Sequence, residues 1–373
     1  MQERVARACL TAVVEPGHSA LAEAVREFGA EEVWRGLLGS EGDGGLGRRA
    51  RRVRPAELMA RATQDGQRFV IPGDDEWPTG LLDLRSVDQV RDLSGEPLGL
   101  WVGGEGRLAE LVTDSVAVVG SRASTGYGDQ VAADLAAELS EAGRAVVSGG
   151  AYGIDAAAHR GALAGRTPTV AVLAGGLDQP YPAGHARLFA RVRERGVVVS
   201  ELPSGEHPTR VRFLARNRLI AAMTAGTVMV EAAIRSGARN TVTWASALGR
   251  MVMAVPGPVT SANSVTPHRL IRDAEAVLVT SATDILELLG PLDARSARSA
   301  PSAVHRPTDD LTGDALRVYE TVPGKGAISV GELAICAGIA VPACLAVLSR
   351  LGDAGLVRQN AEGEWRLAGN GRR

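Results

Sequence analysis

Lysine is almost absent from this chain. Lysine and arginine together number 41, and Lys325 is the only lysine, so the other 40 are arginine. This excludes a Schiff-base lysine, a Walker-type GK[ST] loop and an S-x-x-K acyl enzyme from the first 324 residues. Cysteine is scarce as well. Cys9, Cys336 and Cys344 are odd in number and lack CxxC or His-linked spacing, which excludes a disulfide framework or zinc site and fits a reducing cytosol. Neither a metal nor a cofactor is expected. No run of about 18 apolar residues occurs, and MQERVARACLTAVVEPGH has no apolar stretch of signal-peptide length. A cytoplasmic protein without a membrane partner is the expectation.

What is present is a chain of 373 residues, 45% hydrophobic and 23% charged, long enough for two or three domains. The net charge of −2 argues, taken alone, against a wholly basic nucleic-acid binder. Its distribution says otherwise. Residues 74–114 carry ten acids and three arginines, whereas 187–218 carry eight arginines and three glutamates. An acidic segment masks a locally basic one.

Residues 1 to about 72 read as short helices, Val5–Val14, Ser19–Phe28, Glu31–Leu38 and Pro55–Gln64, broken by PGH, FGA and the glycine-rich 39–47. Ser19 stands where an N-cap belongs and Pro55 where a first-turn proline does. The acidic 74–114 reads as an irregular lead-in with extended pieces such as LGLWVGG. From Ser115 the pattern changes to short β-branched runs: SVAVVG, AVVSGG, TVAVLAGG, GVVVSE, AGTVMVEA and MVMAVPG. Helical stretches alternate with them at Tyr127–Ala142, Asp155–Ala164, His185–Arg195, Phe213–Ala225 and Thr241–Leu248. This alternation predicts an α/β fold with a doubly wound parallel sheet, covered on both faces, whose ligand loops share one edge. Residues 291–310, rich in Pro, Ser, Ala and Arg, read as a linker. Beyond it, helices at Asp314–Thr321, Val330–Ala337 and Pro342–Ala354 followed by LVRQNAEGEWRL have the order of a winged helix-turn-helix. The would-be recognition helix, VPACLAVLSRLGDAG, is largely apolar with one arginine, which favours protein contact over duplex reading.

Two glycine-rich junctions are the first chemical signal. After the strand ending at Gly120, Ser121 and Arg122 bring amides, a hydroxyl and a fixed cation to a helix start, a setting for a phosphate. The second junction, VVSGGAYGIDAAAHRGAL, offers Ser148, Gly149 and Gly150, with Asp155 as the helix N-cap and His159 a structural histidine. The second signal is HPTRVRFLARNRLI. Here Arg210, Arg212, Arg216 and Arg218 surround Phe213 and Asn217, a ring to stack a base among cations that hold phosphates. Arg216 and Arg218 flank Asn217, so only part of that trio can face a ligand.

VVGSRASTGYG, SGGAYGIDAAAHRGAL, GGLDQPYP, SELPSGEHPTRVRFLARNRLIAA, VEAAIRSGA and GRMVMAVPG, in this order across roughly 115–280, resemble the DNA-processing protein A family (DprA, also called Smf). The resemblance implies an extended Rossmann-like core at 73–290, a sterile-alpha-motif-like helical domain at 1–72 and, past the 291–310 linker, a winged-helix domain at 311–373. It implies a non-catalytic protein that dimerises, coats incoming single-stranded DNA during natural transformation and loads RecA onto it. Carried onto this chain, the DNA pocket comprises Gly120, Ser121, Arg122, Ser148, Gly149, Gly150, Arg210, Phe213, Arg216, Asn217 and Arg218. The chain departs from the family at Ala238-Arg239-Asn240-Thr241 and around Thr266–Arg269. Its PGH lacks the second glycine of a helix-hairpin-helix, which argues against DNA binding by the amino-terminal module.

Glu231 supports a different class. It follows the strand TVMV at a ligand-facing end and resembles the glutamate of nucleoside-monophosphate phosphoribohydrolases, though their PGG-x-GT-x-x-E run is absent. The simpler reading has Glu231 accepting amide hydrogen bonds at the strand end. An NAD-linked oxidoreductase is disfavoured, because the glycine spacing is G-x5-G-x-G and AVVSGG carries no closing acid.

Overall fold

The computed structural model describes residues 2–40, 45–87, 90, 93, 95–290, 308 and 310–368. It comprises two compact units, Met1–Arg295 and Ser296–Arg373. The 291–310 segment read as a linker lies outside the described residues apart from Thr308 and Asp310.

The first unit opens with helices α1 (Glu3–Thr11), α2 (Ser19–Phe28), α3 (Ala30–Gly39), α4 (Gly45–Arg52) and α5 (Pro55–Gln64). Leu10, Val13, Leu21, Trp34 and Ala50 give them a core of their own. Two local expectations change. His18, not Ser19, caps α2, its Nδ1 accepting from the Leu21 amide at 3.3 Å. Helix α4 forms within a stretch whose glycines suggested a break. Its apolar positions Leu46, Ala50 and Val53 recur at helical spacing and pack into the same core, which outweighs the glycine penalty.

A nine-stranded sheet follows: β1 (Gln67–Val70), β2 (Leu100–Gly103), β3 (Val116–Val119), β4 (Val146–Ser148), β5 (Val170–Val172), β6 (Val197–Ser200), β7 (Gly226–Met229), β8 (Met251–Ala254) and β9 (Val277–Leu278). Its order is β1-β2-β6-β5-β4-β3-β7-β8-β9. The six β-branched runs are β3 to β8. From β6 across to β9 every neighbour is parallel. The sheet is not wholly parallel, however, since β2 runs antiparallel to β6 and β1 antiparallel to β2. Strand β2 is the LGLWVGG piece of the acidic lead-in. Strand β1 falls inside the span read as helical, being only four residues held in place by pairing with β2.

Helices α6 (Leu108–Val112), α7 (Gly126–Glu141), α8 (Ile154–Ala162), α9 (Ala186–Arg195), α10 (Arg210–Ala222), α11 (Ala238–Ala247), α12 (Val265–Arg272) and α13 (Ala282–Leu289) cover the sheet. Alternation along β3 separates the two layers. Val116 and Val118 join Leu135 and Leu139 of α7, Ala158 of α8 and Ile285 of α13. Ala117 and Val119 face Leu219 of α10, Trp244 of α11 and Leu270 of α12. Each fully buried aliphatic of this kind contributes about 1.5–3 kcal/mol. The chain winds from β3 to β4, β5 and β6 in one direction, and β7, β8 and β9 extend the other. A topological switch point therefore lies between β3 and β7, and a crevice opens outside their carboxyl ends.

The second unit contains α14 (Gly313–Thr321), α15 (Val330–Ala337), α16 (Val341–Asp353) and the hairpin β10 (Val357–Gln359) with β11 (Trp365–Leu367). Its core is built on Val318, Leu333, Cys344, Leu348 and Val357. Among the described residues no single helix is long and apolar enough to cross a membrane.

Candidate functional site

A cleft of about 1010 Å³ occupies the switch point. Its walls are the loop after β3 (residues 120–123), Asp155 at the start of α8, the first turns of α10, and the loop after β7 (residues 233–237). These loops are tied together by backbone bonds. The Ser121 amide donates to the Glu231 carbonyl at 2.6 Å, and the Ile154 amide donates to the Ser121 carbonyl at 3.2 Å. Gly153 allows the second contact: it has φ +74°, and a Cβ there would collide with the Ser121 carbonyl. The Ser121 amide, expected to face a ligand, is thus consumed by the fold. Its hydroxyl oxygen accepts from the Ala123 amide at 3.2 Å. Arg122 stays exposed at the rim.

Helix α10 starts three residues earlier than the pattern suggested, because the Thr209 hydroxyl caps it by accepting from the Arg212 amide at 3.3 Å. That start sorts its arginines by face. Arg210, Phe213, Arg216 and Asn217 line the cleft. The guanidinium carbon of Arg122 lies 4.4 Å from the Phe213 ring centroid. Tyr181 meets the same ring edge-on, with centroids 5.7 Å apart, and is itself 52% exposed. A cation, a phenyl face and an accessible phenol are therefore assembled at one mouth, suited to a base and its phosphate.

Arg218 does not belong there. It is wholly buried and forms a two-point ion pair with Glu201, Nη2 donating to Oε1 at 2.6 Å and Nη1 to Oε2. Arg212 is also committed, with Nε and Nη2 each 2.8 Å from Glu15 and Nη1 2.7 Å from Glu206. Arg216 is buried at the cleft floor. Its Nη1 donates to the carbonyls of Gly149, at 2.7 Å, and Val172, and its Nε donates to Asn217 Oδ1 at 3.2 Å. Burial pulls its pKa down to about 10, against the opposing pull of Asp155, so it remains a cation at neutral pH.

The second glycine junction plays a different part from the one expected. Ser148 is fully buried, its hydroxyl donating to the Val118 carbonyl at 2.6 Å. Gly149 makes room for the Arg216 guanidinium, which a side chain would strike. Gly150 packs against Phe189, and its carbonyl lies 3.0 Å from His185 Nδ1. Gly149 thus positions Arg216 from behind, and none of the three lines the cleft. Asp155 is not the N-cap of α8, a place taken by Gly153. It sits in the first turn and faces the cleft, where burial raises its carboxyl above the usual range while Arg216 and Arg122 oppose that shift. His159 is structural. Thr169 Oγ1 donates to the Val146 carbonyl at 2.6 Å and so accepts from His159 Nδ1 at 2.9 Å. Burial drives this imidazole's pKa to about 3.

Glu231 lies under the cleft, 1% exposed. Its Oε2 accepts from the Thr125 amide at 2.9 Å and its Oε1 from the Thr125 hydroxyl at 2.6 Å, while Thr125 caps α7. Both carboxylate oxygens are thus engaged by the residue that starts a helix, and the side chain does not line the cleft.

Sequence reasoning missed three contributors, Tyr181, Ile234 and Arg235, and marked Arg239 only as a departure from the family. The first lay in the GGLDQPYP turn and the others in VEAAIRSGA and its continuation, segments noted for order but not for chemistry. Arg239 is paired with Glu275 at 2.7 Å. Arg122, Arg210 and Arg235 have no carboxylate partner among the described residues. The cleft thus presents unpaired cations and carries one carboxylate, Asp155.

A family model described as DNA recombination-mediator protein A matches residues 68–290. A Mycobacterium tuberculosis protein provisionally named DNA processing protein DprA is 46% identical over 367 residues, 96% of this chain and 93% of that one. Protein Smf of Escherichia coli is 42% identical over 222 residues, 59% of this chain and 56% of its own. The X-ray structure of DNA processing protein A from Streptococcus pneumoniae superposes with a TM-score of 0.63 at 29% identity, covering 77% of this chain and 97% of that one. A Helicobacter pylori DNA processing protein A, studied for its single-stranded DNA binding mode, shares the fold at 24% identity and a TM-score of 0.51, over 60% of this chain and 95% of that one.

Proposed function

This chain belongs to the DNA recombination-mediator protein A family, and from that premise we propose that its switch-point cleft binds single-stranded DNA. The observation that carries the reading is the Arg122–Phe213–Tyr181 cluster, open to solvent and flanked by Arg210 and Arg235. Phosphates meet guanidinium forks, and a base stacks on the aromatic edge of the cleft. Of the residues first assigned to the pocket, Arg122, Arg210, Phe213 and Arg216 contact DNA, with Gly120 and Ser121 shaping the adjoining wall. Asn217 orients Arg216 and Gly149 supports it, while Ser148 and Gly150 hold the junction behind the cleft. Arg218 holds α10 in place through Glu201.

The binder is non-catalytic, acts as a homodimer and delivers its strand to RecA, in keeping with a recombination mediator. Residues 1–72 serve as a sterile-alpha-motif-like module on the core. Residues 311–373 form a winged helix whose apolar third helix suits a protein partner. No observation favours the hydrolase reading, since Glu231 is occupied by Thr125. The test is a fluorescence titration of single-stranded oligonucleotide at several fixed salt concentrations with Arg122→Ala and Arg210→Ala. Each variant loses affinity, and its log–log salt slope becomes shallower by about 0.7 per phosphate contact removed. Unchanged affinity in both variants overturns the assignment.

A further inference from the structure

Helix α4 and the residues after it read GRRARRVR from Gly47 to Arg54, with arginines at 48, 49, 51, 52 and 54 and no acid among them. All five arginines are exposed. The apolar side of the helix accounts for that exposure. Ala50 is buried and Leu46 and Val53 partly buried in the same cluster as Val13 and Val14 of the turn after α1, so the basic side faces outward. Arg51 donates to the Ser40 carbonyl at 3.1 Å and Arg54 to the Arg51 carbonyl at 3.1 Å. Neither bond neutralises a charge. Arg49, Arg51, Arg52 and Arg54 have no carboxylate bonded to them among the described residues.

The position of this surface matters more than its charge. Glu15 directly follows Val13 and Val14 and bonds Arg212 at two points, each 2.8 Å. Arg212 stands two residues beyond Arg210 at the start of α10, the helix that carries Phe213 into the cleft. The Glu15 carboxyl is held below its ordinary range first by the Arg212 hydrogen bonds, with Arg49 of α4 adding to the same field. Helix α4 therefore packs its apolar side against the turn that carries Glu15, and Arg49 acts on the same carboxylate that Arg212 of α10 bonds, within a single compact unit.

We propose that the exposed arginines of α4 continue the DNA track beyond the cleft, holding the phosphates of the same single strand as it leaves past Arg210. The inference rests on the cleft being a single-strand site. A polyanion is the ligand that four exposed arginines without a bonded carboxylate among the described residues suit, and continuity with the cleft selects the strand already bound there. The track uses an exposed helix side and does not depend on a glycine hairpin at PGH.

The test uses the full-length chain with Arg49, Arg51, Arg52 and Arg54 all changed to Gln, and a companion with all four changed to Lys. Probes are oligothymidylates of about 6 nucleotides, near the lower end of single-strand site sizes, and of about 40 nucleotides. The glutamine variant is expected to bind the short probe as the parent does. It should bind the long probe about ten-fold or more weakly, with a salt slope shallower by about 2 to 3, while the lysine variant stays close to the parent. Equal binding of the long probe by parent and glutamine variant overturns the proposal. So does an equal loss on both probes, or a loss confined to a duplex probe. Arg122→Ala, run alongside, separates the two readings. If it leaves both probes unaffected while the glutamine variant still loses the long one, the cleft assignment fails and the α4 surface stands as a binding site in its own right.

Discussion

The Arg122 guanidinium carbon lies 4.4 Å from the Phe213 ring centroid, although one residue sits in the loop after β3 and the other on α10, 91 positions apart. On the proposed single-strand reading, the contact couples a phosphate ligand to a base platform: whatever holds Arg122 also sets the face on which a base can stack. In free protein an exposed contact of this kind is worth only about 0.5–1 kcal/mol. A stacked base contributes about 1–3 kcal/mol. The two side chains should therefore show coupled effects on DNA affinity larger than their effects on stability. In a double-mutant cycle with Arg122→Ala and Phe213→Ala, the combined loss of affinity is expected to fall short of the sum of the single losses by more than about 0.5 kcal/mol. Additive losses would show that the residues contact DNA independently.

Arg218 supplies a contrasting case. It carries the same charge as Arg210 on the same helix, yet it is buried against Glu201 and also donates to the carbonyls of Gly95, at 3.1 Å, and Ala215, at 2.9 Å. Arg218→Met leaves Glu201 buried and alone, which costs about 3–5 kcal/mol. Denaturant unfolding should show that loss, and Glu201→Met in the same chain should recover part of it. Single-strand affinity, measured well below the midpoint, should remain that of the parent. A selective loss of DNA binding without destabilisation would return Arg218 to the cleft.

His159 gives the fold a definite acid sensitivity. Its folded-state pKa is depressed from 6.5 to about 3, first by burial and then by the charge of Arg216. A depressed histidine contributes stability that is fully present above pH 6.5 and lost as pH falls toward 3, because the unfolded chain takes up a proton the native state refuses. One such group gives a slope of about 1.4 kcal/mol per pH unit within that window. His159→Gln cannot titrate, so its stability should fall less steeply than the parent's between pH 6.5 and the acid transition. Parallel stability–pH curves for the two proteins would show that the imidazole is protonated in the fold.

The parallel part of the sheet was legible because a strand buried on both faces reads as a near-continuous, valine-rich run, and β3 to β8 each contain one. Of the two antiparallel strands, β2 was legible only as an extended piece without its pairing, and β1 was not legible at all. Phe69 and Trp101 sit in four-residue segments whose extended form comes from pairing, Phe69 with Trp101 and Trp101 with Ser200. The cleft was half legible. Arg122, Arg210 and Phe213 were identifiable as a cation and ring set, but the fate of each arginine on α10 depended on partners remote in sequence, such as Glu15 for Arg212. Helical spacing separates Arg216 from Arg218, as expected, but which of them faces the cleft depends on what packs against α10. Tyr181 and Arg235 escaped notice because a single tyrosine in a turn, or a single arginine in a loop, carries no pattern until the fold brings it to Phe213.

Glu231 offers the cleanest separation between a binding protein and a hydrolase. A catalytic carboxylate has to reach a glycosidic centre, whereas both oxygens here are held by Thr125 at 2.9 and 2.6 Å beneath the cleft. Glu231→Ala removes the acceptor for the Thr125 amide and hydroxyl, so it should cost stability, about 1–3 kcal/mol for a donor left unsatisfied, and loosen the start of α7. Because the Ser121 amide bonds the backbone of Glu231 and not its carboxylate, the loop after β3 keeps its anchor, and single-strand affinity of the folded variant should fall only modestly. Incubating the parent chain with each of the common nucleoside monophosphates and resolving the products by chromatography is expected to yield no free base above a protein-free control. Base release by the parent that disappears in Glu231→Gln would assign the carboxylate to catalysis and reverse the reading of this site.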